Sequence, residues 1–335
     1  MAAPLRSSPG GGSCWPGSHG VRCAGTGSVG SVHLTDSVTH RLVVANLAAQ
    51  IGIIVTGGLV RVTGSGLGCS TWPQCEPGTF TPVLHEEMSF HPLVEFGNRL
   101  ITFLLVAIAL AVLWAVHRRE PVRSRPPVFR RLAWTVLALI ATQAIIGGLS
   151  VLADLHPAIV GSHMYFSLAL VALSAYLLVR LHQPDGAPAA PPAPVPALVT
   201  ALVAVGALML VAGVITTGTG PHSGDADAPY RFALDPLVVT RTHSALAWLF
   251  VALLGATALA TARAGMGWRR WRWVAAVTVL QGLVGYVQYF TGLPVALVVV
   301  HMLLSALLVA ATTAAVTGLW RREAVVPERR VTQPA

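Results

Sequence analysis

The sequence predicts an all-α integral membrane protein whose eight transmembrane helices form two pseudo-symmetric four-helix bundles. Three observations carry this: a composition too apolar for water, eight stretches long enough to cross a bilayer, and a repeat relating the two halves. Of 335 residues, 54% are hydrophobic and 10% charged, far from the balance of soluble domains. A hydrocarbon core of about 30 Å needs roughly 20 apolar residues per helix. Eight stretches reach that length, near residues 42–62, 92–116, 132–152, 159–181, 197–217, 236–261, 273–292 and 294–319.

All 22 basic residues are Arg, and the net charge is +9. Their placement argues for membrane topology rather than a nucleic-acid partner. Arg118, Arg119, Arg123, Arg125, Arg130 and Arg131 lie between the second and third stretches, Arg263, Arg269, Arg270 and Arg272 between the sixth and seventh, and Arg321, Arg322, Arg329 and Arg330 after the last. The alternate connections hold only Arg231 and are acidic, with Glu76, Glu86, Glu87, Asp154, Asp225, Asp227 and Asp235. The positive-inside rule then places both termini in the cytoplasm. Residues 1–40, rich in Gly and Ser and without a signal-like apolar run, read as a disordered cytoplasmic tail in which Cys14 and Cys23 are inert. Residues 321–335 read as a second cytoplasmic tail. Cys69 and Cys75 fall in the first outer loop, where oxidation is permitted.

The Pro/Ala-rich segment 184–196 cannot propagate a helix, because Pro lacks the amide donor and clashes with the preceding turn. As a cytoplasmic linker it divides the chain into halves, 41–183 and 197–320. Gln143-x-x-x-Gly147 precedes His163-Met164-x-x-Ser167 in the first half; at an offset of 138, Gln281-x-x-x-Gly285 precedes His301-Met302-x-x-Ser305 in the second. Weaker matches join Ile54-Val55-Thr56-Gly57-Gly58 to Val211-Ala212-Gly213-Val214-Ile215, and His91-Pro92-Leu93-Val94 to Asp235-Pro236-Leu237-Val238. Together they indicate a duplicated four-helix unit, whose even helix number gives both copies the same orientation.

At 1.5 Å rise per residue, His243 and His301 lie roughly 10 Å inside the outer ends of their helices. His163 lies slightly shallower in the fourth. Three imidazoles in one layer suit haem, whose iron takes axial imidazole nitrogen while the macrocycle fills an apolar bundle centre. Interhelical hydrogen bonding by His is the plainer reading of any one of them. Matched depth and a repeat relation favour the cofactor, since intramembrane ionisable groups are costly and usually functional.

The second helix breaks the symmetry. In Glu95-Phe96-Gly97-Asn98-Arg99, Asn98 stands at the depth where a fourth histidine is expected, and Glu95 lies on the same helical face. A carboxylate there either serves proton transfer and stabilises developing positive charge or simply pairs with Arg99. Arg99 and Arg241 either hold haem propionates or snorkel to the headgroups, and Arg61 reads more as a snorkelling residue. A Cys69–Cys75 disulfide either staples the outer loop or exchanges with a partner thiol. Gly64-Ser65-Gly66-Leu67-Gly68 has no Lys-Ser/Thr sequel, which excludes a phosphate loop. His85, His91, His156 and His222 read as solvated loop residues, with His91 and His222 nearest the site layer.

With Thr63-Gly64-Ser65-Gly66-Leu67-Gly68-Cys69, Trp72-Pro73-x-Cys75, the Glu95–Arg99 segment and the three helix-borne histidines, the chain resembles the haem A synthase family over essentially all eight helices. The resemblance is to bacterial members of actinobacterial type, and the Arg-only basic content fits a GC-rich genome. It implies a resident haem b held by His243 and His301, with Arg241 beside it, and haem O as substrate in the first half. His163 would ligate the substrate iron, Glu95 would be the catalytic acid, and Asn98 and Arg99 would line that site. The implied reaction oxidises a porphyrin methyl group to a formyl group. Haem O synthase and terminal oxidase assembly would be the partners, electrons would leave through the resident haem or an external acceptor, and the bacterial cell membrane would be the location. Asn98 departs from the family, many members of which carry a second histidine there. A b-type cytochrome that only passes electrons would need no Glu95, and a transporter with a midplane site would need no iron-ligand histidines.

Overall fold

Inside a bilayer a helix satisfies its own backbone hydrogen bonds, so each apolar stretch is expected to form one. In the computed structural model, residues 14–17, 20–23, 34–83, 90–222, 224–225, 227 and 230–323 are described. They include eight helices long and apolar enough to cross a membrane: α1 (Ser37–Val62), α2 (His91–Arg118), α3 (Val128–Leu152), α4 (Pro157–Leu181), α5 (Val195–Thr219), α6 (Pro236–Arg263), α7 (Arg272–Phe290) and α8 (Val295–Thr317). Every end falls within five residues of its sequence expectation.

The largest difference is the start of α1, which extends below the apolar run because Asp36 caps it. The Asp36 carboxylate accepts from the amides of Val38 at 3.0 Å and Thr39 at 3.2 Å, satisfying donors that a helix start leaves open. Asp235 does the same for α6, accepting from Leu237 at 2.7 Å, with Pro236 preorganised at the first helical position.

The N-terminal segment forms a separate unit. In it, strands β1 (Cys14–Gly17) and β2 (Gly20–Cys23) pair antiparallel with Cys14 opposite Cys23. The other residues of the expected tail up to 33 lie outside the described residues.

Helices α1 to α4 close into a bundle in which each packs on the next and α1 returns to α4. Its core holds Val43, Val112, Phe129 and Leu177 toward the Arg-rich end and Leu105, Val136, Ile140 and Leu170 nearer the middle. The second half is built differently. α5 packs on α6 and α7 on α8, whereas α6 and α7 meet only sparsely. Tyr286 spans that gap, its hydroxyl accepting from Trp248 Nε1 at 3.0 Å and lying 3.3 Å from Ser244 Oγ. The halves join where α1 and α4 meet α8 and where α4 meets α5. Small residues allow the approach: a Cβ on Gly58 would lie 2.8 Å from Met302 Sδ, and one on Gly161 2.6 Å from a Val214 methyl.

Residues of the linker are pinned rather than free. Strand β3 (Pro188–Ala189) pairs with β4 (Arg321–Arg322) just beyond α8. Arg125, from the α2–α3 connection, donates to Asp185 at 2.8 Å and to the carbonyls of Leu181 at 2.7 Å and Gln183 at 2.6 Å.

Candidate functional site

The sequence repeat becomes a repeated hydrogen-bond relay. In the first half, Gln143 Nε2 on α3 donates to Ser167 Oγ and, at 2.9 Å, to the His163 carbonyl; Ser167 Oγ donates to the same carbonyl at 2.9 Å. In the second, Gln281 Nε2 on α7 donates to Ser305 Oγ at 2.8 Å, and Ser305 Oγ donates to the His301 carbonyl at 2.9 Å. Each relay fixes the histidine-bearing turn of one helix against its neighbour.

Glycines complete the seats. A Cβ on Gly147 would lie 3.2 Å from His163 Cε1, one on Gly285 3.2 Å from His301 Cε1, and one on Gly213 3.0 Å from His243 Cε1. Each imidazole therefore rests on a glycine of a neighbouring helix, where an added Cβ would press the ring by a few tenths of an ångström. Gly147 and Gly285 are positions of the repeated Gln-x-x-x-Gly motif, but spacing along the chain does not show which ring each one meets. His243 Nδ1 lies 3.0 Å from the Met209 carbonyl, and since a carbonyl only accepts, Nδ1 carries the proton and Nε2 keeps its lone pair.

Symmetry fails on α2. Asn98 is engaged by Thr56 of α1, whose Oγ1 donates to Asn98 Oδ1 at 2.8 Å. Buried Glu95 faces the disulfide loop: its Oε2 accepts from the Cys69 amide at 2.7 Å, and its Oε1 accepts from Arg99 Nε at 3.1 Å. Arg99 also donates to the carbonyls of Thr71 at 3.0 Å and Gln74 at 3.1 Å. Both alternatives for Arg99, propionate and headgroup, thus meet a guanidinium already bonded to loop carbonyls, because the loop folds back over the end of α2. Cys69 and Cys75 form the disulfide that closes this loop. Trp72 within it lies on Gly148, where a Cβ would come 2.3 Å from Trp72 Cδ2. The adjacent glycines of α3 therefore carry His163 and the loop respectively.

Arg241 is exposed; two residues from His243, it points about 200° away around the helix. Arg61 does not reach for headgroups but donates across to the carbonyls of His222 at 2.7 Å and Thr217 at 3.2 Å. Nor are the two loop histidines nearest the site layer simply solvated. His91 Nδ1 is 2.8 Å from Ser65 Oγ, and His222 Nε2 is 3.0 Å from the Leu293 carbonyl. His156 caps α4, and His85 lies outside the described residues.

These residues fit haem. Single imidazoles on separate helices, rather than a cluster of three or more ligands among the described residues, suit an iron that brings its equatorial nitrogens with it. His163 Nδ1 and His301 Nδ1 are buried without a hydrogen-bond partner, and the sparse α6–α7 contact leaves the second half open between its helix pairs.

The fold and site define a polytopic membrane protein built from a duplicated four-helix unit, with histidines seated at matching depth in both copies. The chain belongs to the cytochrome oxidase assembly protein family, COX15-CtaA, which it matches over residues 40–313. It is similar to heme A synthase of Geobacillus thermodenitrificans, 31% identical over 132 residues that make up 38% of each chain. Heme A synthase of Symbiobacterium thermophilum is 31% identical over 144 residues, 43% of this chain and 44% of that one. The matched stretches thus span less than half of these relatives.

Proposed function

We propose that this protein is a haem A synthase, oxidising a methyl group of haem O to the formyl group of haem A for terminal oxidase assembly. The observation that carries the reading is an asymmetric duplication: two halves share the Gln–Ser–His relay, but only one adds a buried carboxylate, Glu95, under a disulfide loop. The likeness to heme A synthases over part of the chain supports it.

In this reading the second half keeps haem b between His243 and His301, and the first half takes haem O at His163. Bound haem supplies redox-active iron in one half and the methyl group to be oxidised in the other. The relays fix the depth of His163 and His301, and the Met209 carbonyl fixes the His243 ring with Nε2 free. Glu95 holds or moves a proton at its carboxylate, which Arg99 and the Cys69 amide orient. Arg99 is thereby a positioning residue, and the outward turn of Arg241 leaves it a membrane-surface role. The Arg asymmetry between alternate loops supports both termini lying on the cytoplasmic side of a bacterial cell membrane. Haem O synthase would supply the substrate, and an external acceptor would remove electrons.

The test is to produce the protein in a host making haem O and identify the extracted haems. Haem A that disappears in Glu95→Gln while haem b stays bound is the expected result. Haem b without haem A in the unaltered protein would leave only an electron carrier, and no haem at all would refute the site. His243→Ala and His301→Ala are each expected to deplete haem b.

A further inference from the structure

The two halves differ at one pair of facing positions. His243 lies seven residues after the first residue of α6, and its ring rests on Gly213, six residues before the last of α5. In the first half the corresponding places, seven after the first residue of α2 and six before the last of α1, are Asn98 and Thr56. Those two side chains bond each other at 2.8 Å.

Both changes act in the same direction. A Cβ at Gly213 would already lie 3.0 Å from the His243 ring, closer than a carbon contact at its optimal separation. Thr56 places a β-branched side chain at the equivalent point, so the berth that an imidazole uses in the second half is filled in the first. Asn98 offers an amide nitrogen whose two hydrogens make it a donor and a carbonyl oxygen turned to the Thr56 hydroxyl. Amides are absent from the usual axial ligands of haem iron. His91 is no substitute: it begins α2, about 10 Å along the helix from Asn98, and its Nδ1 is held to Ser65 Oγ at 2.8 Å.

We propose that the first-half haem is bound through His163 alone, and that Thr56 and Asn98 together keep the opposite axial face of its iron open to a small exogenous ligand. This rests on the haem O reading of the first half and adds its coordination state. The second half, with an imidazole from each helix pair, would hold iron closed on both faces. The protein then contains one haem suited to electron transfer alone and one that admits a small molecule, a division set by access to the iron.

The test uses full-length protein, produced in a haem O-making host and placed in lipid nanodiscs, oxidised, and titrated with cyanide under electron paramagnetic resonance and visible absorption. Two haems per chain are expected, one low-spin and indifferent to cyanide, the other high-spin and converted to low-spin by one equivalent. The high-spin signal should vanish in His163→Ala. Thr56→Gly combined with Asn98→His should make the second haem low-spin and abolish cyanide binding, while Asn98→His alone, crowded by Thr56, should still bind cyanide. Two haems that are both low-spin and cyanide-insensitive in the unaltered protein would overturn this coordination and leave the haem O reading intact. A single haem that persists in His163→Ala would overturn both. A low-spin, cyanide-insensitive second haem in Asn98→His alone would remove Thr56 from the proposal.

Discussion

The Cys69 amide donates to Glu95 Oε2 at 2.7 Å, so the carboxylate that distinguishes the two halves also anchors the disulfide loop. Chemistry and loop position can be separated by substitution. Glu95→Gln keeps an acceptor for the amide and removes the charge, whereas Glu95→Ala leaves the Cys69 amide and Arg99 without their partner. Haem A formation should be lost in both. Thermal unfolding should show Glu95→Ala less stable than Glu95→Gln by about 1–3 kcal/mol, the cost of a buried unsatisfied group. Equal stability would mean that the loop does not depend on this bond.

Trp72 and Gly148 make the loop's second attachment. A Cβ on Gly148 would sit 2.3 Å from Trp72 Cδ2, so Gly148→Ala should lift the indole and expose residues 65–75 to protease while the disulfide remains closed. Cys75→Ser should expose the same segment and lower stability by about 2 kcal/mol, the loop-closure contribution of so short a ring. Unchanged cleavage in both variants would show that neither contact holds the loop.

Two glycines of α7 provide an internal control. Gly285 seats His301, with a Cβ position 3.2 Å from Cε1, while Gly282 has nothing within 4 Å. Gly285→Ala should reduce bound haem b, measured by pyridine haemochrome after purification. Gly282→Ala should retain it and gain up to about 1 kcal/mol from helix propensity. Equal haem content in the two variants would deny the glycine its seating role.

At the Arg-rich end, partial burial tends to raise the Asp36 pKa, but hydrogen bonds from Thr39, Arg119 and Val38 outweigh it and bring the value from 3.8 to about 2. Because the folded value is the lower one, the stabilisation is complete above the ordinary value and is lost as pH falls through the folded one. Asp36→Asn keeps an N-cap but cannot titrate. Stability measured from pH 4 to 2 should therefore fall further in the unaltered protein than in Asp36→Asn. Parallel profiles would show that the capping carboxylate is not linked to folding.

The eight helices were legible because length and hydropathy alone decide which segments can satisfy their backbones inside a membrane. The repeat was legible because Gln143, His163 and Ser167 return at a fixed offset as Gln281, His301 and Ser305. Helical periodicity even placed Glu95 beside Arg99, one turn apart, where the ion pair forms. Gly213 and Thr56 stood at matching places in the weak α1–α5 likeness, a signal whose meaning was hidden until each had a partner.

The tertiary structure decided which helices face one another, and with that the residues each functional side chain meets. It placed His243 on Gly213 but Asn98 against Thr56, folded the Cys69–Cys75 loop onto Glu95 and Arg99, and turned Arg61 to the carbonyls of the other half. It also closed the first bundle and left α6 and α7 apart in the second. A sequence records the face on which a residue lies because a helix turns by a fixed angle per residue. What covers that face is set by packing between helices distant along the chain, which sets Gly213 under the His243 ring and Thr56 against Asn98.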